Sequence, residues 1–326
     1  MHLPDGFLDA KTALLTTGAA GAGVCIALRQ ARATLAPRQM PLLGLAAAFV
    51  FAAQMLNFPV VGGTSGHLVG GVLTAILLGP SAAVLVITCV LIVQCLMFAD
   101  GGLMALGANV FNMAIVSVCG GYGVFALVKR VMRMEAARAT VLAAAFAAWC
   151  GTVVASISCA GQLALSKTVP WSLAFPAMAN IHMLIGIGEG LATGLITLTV
   201  LRARPELLSD ARETGKSARF GFVSYGILVS LGLAVFVAPF ACPWPDGLEA
   251  IARSLGFAGR AEAAAVHAPM PEYRLPFIGS PTLATAVAAL VGTMVAFVAA
   301  YALARLAVPG YGRDATARRN TGLTSK

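Results

Sequence analysis

A chain of 326 residues that is 59% hydrophobic and only 11% charged, with a mean hydropathy of +0.87, carries more apolar surface than one water-soluble core can bury. That excludes a single soluble domain. It predicts an all-α integral membrane protein, a polytopic helical bundle of about seven spans plus a two-span C-terminal module, because lipid leaves the backbone no other partner.

Windows of about 19 residues place spans at 10–33, 41–56, 67–79, 81–98, 106–131, 139–165, 175–201, 219–239 and 282–308, with strands expected nowhere. The third is short, and Gly79-Pro80-Ser81 parts it from the fourth in a tight turn at the membrane face, since proline removes a donor and restricts its predecessor. With the amino terminus outside, segments 29–40, 129–138, 202–219 and 305–326 face the cytoplasm and hold 17 of the 22 Lys and Arg. Only Lys11, Lys167, Arg253, Arg260 and Arg274 then face out. The expected location is the cell membrane, multi-pass, with the carboxy terminus cytoplasmic. The net charge of +9 is mostly this bias, aided by anionic membrane lipid, and needs no nucleic acid.

The chain starts MHLPDGFLDA. A cleaved signal peptide wants a basic region before its apolar stretch, and Pro4, Asp5, Gly6 and Asp9 stand here instead, so Met1 and His2 are expected to be retained. A histidine at position 2 has special chelating geometry. The Met1 amine, the His2 amide nitrogen and the His2 imidazole can bind one metal through a five-membered and a six-membered ring. Ni(II) and Cu(II) promote loss of the amide proton in a square plane whose fourth nitrogen comes from elsewhere.

Four histidines, His2, His67, His182 and His267, fall on the outer side of this topology. His67 is the candidate fourth ligand. It lies in NFPVVGGTSGHLVGG, residues 57–71, where Gly62, Gly63 and Gly66 let the chain come close to a partner. Irregular backbone at membrane depth is tolerated where it lines a cavity or is buried in protein. His267 sits in an alanine-rich loop and is left out of the site.

The start MHLPDGFLD, the stretch NFPVVGGTSGHLVGG and the helix ANIHMLIGIGEG resemble the CbiM/NikM substrate-capture proteins of energy-coupling-factor cobalt and nickel transporters, over about residues 1–204. That resemblance implies a metal held by Met1, His2 and His67, in agreement with the chelate argument. PWPDGLEAIARSLGF at 243–257, followed by APMPEYRLP and a last apolar span, resembles the CbiN/NikN partner with its PDGLE segment. The chain therefore reads as a fusion: 1–204 a metal-capture membrane domain, 205–326 a PDGLE domain with two transmembrane helices, joined through the polar linker 202–219. The resemblance also implies partners: a CbiQ/NikQ-like transmembrane coupling subunit and CbiO/NikO-like cytoplasmic ATPases. No GxxxxGK followed by Ser or Thr and no catalytic constellation is present, so the chain is expected to be a transport component and not an enzyme. Ni(II) or Co(II) is its cargo, with no resident cofactor.

Around the ligands, Asn180, His182, Ser65 and Thr64 are candidates to orient the site, because a metal-bound imidazole gives its second nitrogen to an acceptor. Asp246 reads first as an N-cap of a short amphipathic helix, and with Glu249 it also offers carboxylates to a divalent cation. Gln54, Asn57, Gln94, Asn109, Asn112, Asn180, His182 and Glu189 are expected to face the bundle interior. Small residues at Ala19, Gly23, Ala27 and Ala31, and at Gly186, Gly190 and Gly194, mark helix contacts, internal or with a partner. The seven cysteines are odd in number and show no CxxC spacing, so they read as small hydrophobes. Cobalt uptake for corrinoid synthesis, a membrane metal sensor and a stand-alone secondary transporter are the other readings. The last would use Glu189 as a midplane carboxylate.

Overall fold

The computed structural model describes residues 1–204, 216–265 and 267–307. The join expected within 202–219 and the tail beyond 307, expected to be cytoplasmic, lie largely outside them. The first helix, α1 (Ala10–Thr34), starts where the Asp9 carboxylate accepts from the Thr12 N–H at 2.9 Å, satisfying one of the free donors of a helix start. Then follow α2 (Met40–Gln54), strands β1 (Phe58–Val60) and β2 (Thr64–Gly66), α3 (Gly71–Leu78) and α4 (Pro80–Phe98). Helix α5 (Leu106–Asn109) runs through a π-helical stretch, Val110–Val116, into α6 (Ser117–Val131). The rest are α7 (Ala136–Leu165), α8 (Trp171–Ala203), α9 (Lys216–Gly232), α10 (Gly247–Ser254) and α11 (Pro281–Ala307).

Among the described residues seven helices are long and apolar enough to cross a membrane, and the protein is a polytopic helical membrane protein. Two of the nine expected spans are not single helices of that length. Helix α2 has 15 residues. The segment 67–79 is not helical throughout: Gly70 stands at φ 73, so the helix begins only at Gly71 and runs for 8 residues. Gly79, at φ 88, then reverses the chain directly into α4. The Ser81 hydroxyl donates to the Gln30 side-chain oxygen at 2.7 Å, which ties this reversal to the far end of α1, opposite Met1.

The expectation of no strands also fails, by a small margin. Phe58 pairs with Gly66, Pro59 with Ser65 and Val60 with Thr64, antiparallel. Gly62 and Gly63 turn the hairpin at φ 84 and 72, a region open to glycine at little steric cost. Strands of three residues are too short for a period-two pattern to show in sequence.

The glycine stripe of α8 is an internal seam. A Cβ on Gly190 would lie 2.8 Å from the Ala145 carbonyl oxygen, and one on Gly186 would lie 2.9 Å from the Trp149 ring. Small residues thus let α7 and α8 approach, as in membrane helix pairs generally. On α1 the stripe holds at Gly23, packed against Ile115, and at the buried Ala27 and Ala31, whereas Ala19 is exposed and Ala20 takes its place inside. The C-terminal helices lie on α2: Gly226 of α9 sits beside Leu45, and Phe297 of α11 beside Gly44.

Candidate metal centre

The first nine residues fold into the bundle. Leu3 and Phe7 are buried, and the Asp5 carboxylate accepts from the N–H groups of Leu103, Met104 and Ala105 at 3.1, 2.8 and 3.1 Å. Asn109 clasps the backbone of Leu3 from both sides, accepting from its N–H at 2.8 Å and donating to its carbonyl at 3.1 Å. The Thr168 hydroxyl donates to the Phe7 carbonyl at 2.5 Å, and the Phe7 ring meets Phe257 edge-on at 5.1 Å. These contacts come from three separate segments of chain, and together they deliver the amino terminus to one place.

That place is His67. The Met1 amine donates to His67 Nε2 at 3.1 Å and to Asp246 Oδ2 at 2.7 Å. His67 Nδ1 lies 3.2 Å from the Leu68 carbonyl oxygen, which can only accept, so Nδ1 carries the proton and Nε2 presents its lone pair toward Met1. The His2 ring stacks on the His67 ring, 5.4 Å between centroids. His2 Nδ1 faces Asp100 Oδ1 at 3.2 Å, and Asp100 Oδ2 accepts from the Tyr273 hydroxyl at 2.5 Å. His2 Nε2 is buried without a hydrogen-bond partner. Met1, His2 and His67 are therefore brought together, as the sequence predicts.

Burial lowers the proton affinity of both imidazoles. For His67 the nearby amino-terminal charge and His2 add to the effect, while for His2 the Asp100 carboxylate opposes it. Asp246 goes the other way: burial works against its charge, but the Met1 ammonium and the Glu249 N–H hold its carboxyl well below the usual range. Two uncharged imidazoles beside an amine and an amide nitrogen form a borderline-hard nitrogen set suited to Ni(II) or Co(II). Ligation by His2 through Nδ1 requires that nitrogen to give up the proton it shares with Asp100. Among the described residues no three His, Cys, Asp or Glu side chains cluster at ligating distance.

The surrounding residues divide. His182 is buried and lines the same small cavity as Met1, His67 and Asp246; its Nδ1 faces the Met178 carbonyl at 2.8 Å, leaving Nε2 unprotonated. Asn180 is exposed and takes no part, a correction that follows from helix geometry: two residues apart is about 200° around the axis. Thr64 pairs in the hairpin, and the Ser65 hydroxyl donates to the Trp244 carbonyl at 2.7 Å, so both hold the loop and not a ligand. His267 is exposed.

Two residues matter more than the sequence revealed. Glu189 accepts from the N–H groups of Val69 and Gly70 at 2.6 and 3.0 Å, anchoring the chain just beyond His67. Seven residues after His182 on the same helix, it shares that residue's face, which is the sequence signal that links them. Asp246 does cap α10, through Oδ1 at 2.8 Å from the Glu249 N–H, but its other oxygen reaches Met1. A second cavity, of about 390 Å³, adjoins the site and is lined by His2, His67, Asp100, Asp246, Glu249 and Glu272 among others. Of the other polar residues, Gln54, Gln94, Asn109 and Asn112 are buried and Asn57 is half-buried.

The family profile described as "Cobalt uptake substrate-specific transmembrane region" matches residues 2–207, and the PDGLE domain profile matches residues 220–308. A NikMN protein of Archaeoglobus fulgidus is 36% identical over 316 residues, covering 94% of this chain and 99% of its own. The fused nickel transport protein NikMN of Rhodobacter capsulatus is 31% identical, covering 90% and 94%. The crystal structure of a truncated transition metal transporter superimposes with a TM-score of 0.57 at 31% identity, over 62% of this chain and 99% of that one.

Proposed function

The chain belongs to the CbiM family of cobalt-uptake substrate-specific transmembrane proteins, and from that premise we propose that it captures Ni(II), with Co(II) as the runner-up, at the outer membrane face. One observation carries the reading: the Met1 amine, the His2 ring and the His67 Nε2 meet in a buried cluster. Met1 and His2 supply an amine, an amide and an imidazole nitrogen, and His67 supplies the fourth corner. Amide-nitrogen coordination favours a square plane, hence nickel over cobalt.

In this reading the protein is the substrate-binding component of an energy-coupling-factor importer of the cell membrane. A CbiQ/NikQ-like coupling subunit and CbiO/NikO-like ATPases on other chains drive release to the inside. The amino terminus and the loops at 57–70, 99–105 and 241–280 face out, which leaves the basic segments within, and residues 205–326 form the PDGLE module. Glu189 has both carboxylate oxygens engaged by backbone N–H groups, which argues against the ion-coupled stand-alone transporter.

The test is metal binding by purified protein with a carboxy-terminal tag, native or extended before Met1, followed by calorimetry and visible absorption. Extension converts the Met1 amine to an amide. Tight Ni(II) binding with a square-planar absorption band, lost on extension, is the expected result. Equal binding by both forms removes Met1 from the site and refutes the chelate.

A further inference from the structure

One short segment of the C-terminal module touches both chain segments that carry the proposed ligands. The Pro245 carbonyl accepts from the Ser65 N–H at 2.8 Å, the Trp244 carbonyl accepts from the Ser65 hydroxyl, and Asp246 forms a parallel bridge with Ser65. Ser65 is fully buried and stands two residues before His67. The same Asp246 then reaches the Met1 amine at 2.7 Å. Gly247, next along, lies so close to His182 that a Cβ there would sit 3.0 Å from its ring. Four consecutive residues thus border Met1, the His67 hairpin and His182.

The Met1 contact is not required by the module itself. Its helix α10 is capped by Asp246 Oδ1, while Oδ2 turns away from that helix to the amine. A chain terminus is ordinarily the most mobile part of a fold, and ordering it on binding costs affinity. A charge-assisted bond to a half-buried carboxylate removes much of that cost in advance. The contact is also compatible with chelation: a metal-bound amine keeps two N–H bonds, and one of them can still donate to Oδ2.

Resting on the metal reading above, we infer that Trp244–Asp246 is a clamp that pre-assembles the metal site, with Asp246 the positioning residue that seats the Met1 amine against His67. The C-terminal module then acts on capture by holding the ligand set in place, and Asp246 itself is not a ligand.

The experiment reads the amine directly. Full-length protein with a carboxy-terminal tag and a free Met1 is treated, metal-free, with an amine-acylating reagent, and modification of the amino-terminal peptide is followed by mass spectrometry. Asp246→Ser keeps an N-cap residue for α10 but is too short to reach Met1. It is expected to be acylated about tenfold faster than the wild type, with unchanged thermal unfolding and Ni(II) affinity lower by about tenfold. Asp246→Asn keeps cap and size and loses only the charge; its rate is expected to fall between the two, and it decides the matter if the serine variant does not fold. Acylation of both variants at the wild-type rate overturns the clamp. Wild-type protein that binds neither Ni(II) nor Co(II) while the acylation contrast persists refutes the capture reading and leaves Asp246 as the seat of the Met1 amine, so the two failures are distinguishable.

Discussion

The seam between α7 and α8 and the end of the bundle that holds Met1 are both tightly built, by opposite means. Along the seam, glycines bring two helices into van der Waals contact with almost no side-chain hydrogen bonding, the Trp149 indole to the Met183 carbonyl at 2.9 Å being the exception. At the Met1 end, carboxylates, amides and hydroxyls bind backbone across sequence distances above a hundred residues. In lipid, burying apolar surface gains little between helices, so shape decides the seam. Where the chain leaves helical conformation its N–H and C=O groups must be satisfied one by one, and polar side chains decide the fold. The difference bears on the proposed function: residues in the seam fix the scaffold, and residues in the polar end fix the proposed ligands.

The contrast can be broken most severely at His67. His67→Ala removes a nitrogen from the set while leaving the seam intact, and Ni(II) affinity by calorimetry is expected to fall by more than about 100-fold with little change in thermal unfolding. Gly190→Leu should do the reverse: the side chain has no room against Ala145, so stability in detergent should fall by about 2 to 3 kcal/mol, while the protein that remains folded binds nickel normally. Glu189→Gln tests a residue belonging to both regions, on α8 yet bonded to the His67 loop. Replacing one carboxylate oxygen by a donor faces it toward an N–H, and about a tenfold loss of Ni(II) affinity is expected.

Acid sharpens the same contrast. Burial depresses the proton affinity of His67 and His2 in the folded protein below the ordinary value of 6.5, so the unfolded chain binds more protons there. Their contribution to stability is present above that pH and is lost as pH falls through it toward the folded values. Metal-free thermal unfolding is therefore expected at lower temperature as pH is lowered from 7 to 5, and less steeply in a His67→Ala variant. The smallest effect belongs to His267→Ala, which should change Ni(II) affinity by less than about twofold, since that residue is exposed and apart from the cluster.

Long uniform helices were legible in the sequence because span length and loop charge act locally, and α1, α4, α7, α8 and α11 fall close to their expected limits. The 67–79 segment was misread as one helix because apolar composition alone does not separate a continuous helix from an extended approach ending in an 8-residue one; the deciding signal was the glycine pair at 70 and 71. The meeting of Met1, His2 and His67 was legible from chelate chemistry. Periodicity held the means to separate His182 from Asn180, two residues apart on opposite faces, and to join His182 with Glu189. The double role of Asp246 was not legible, since a cap is written in the three residues that follow it, whereas a bond to residue 1 exists only after the whole bundle has closed.

That bond also sets an order of events in synthesis. Asp246 follows Met1 in the chain only after every helix through α9, so the amine waits through the synthesis of all of them for its carboxylate. Fusion keeps the two on one chain, which replaces a search for a separate subunit by an intramolecular step at high effective concentration. Completion of the contact thus reports that the segment carrying Asp246 has arrived, and a chain truncated before it, however well its early helices insert, lacks the carboxylate that seats the Met1 amine.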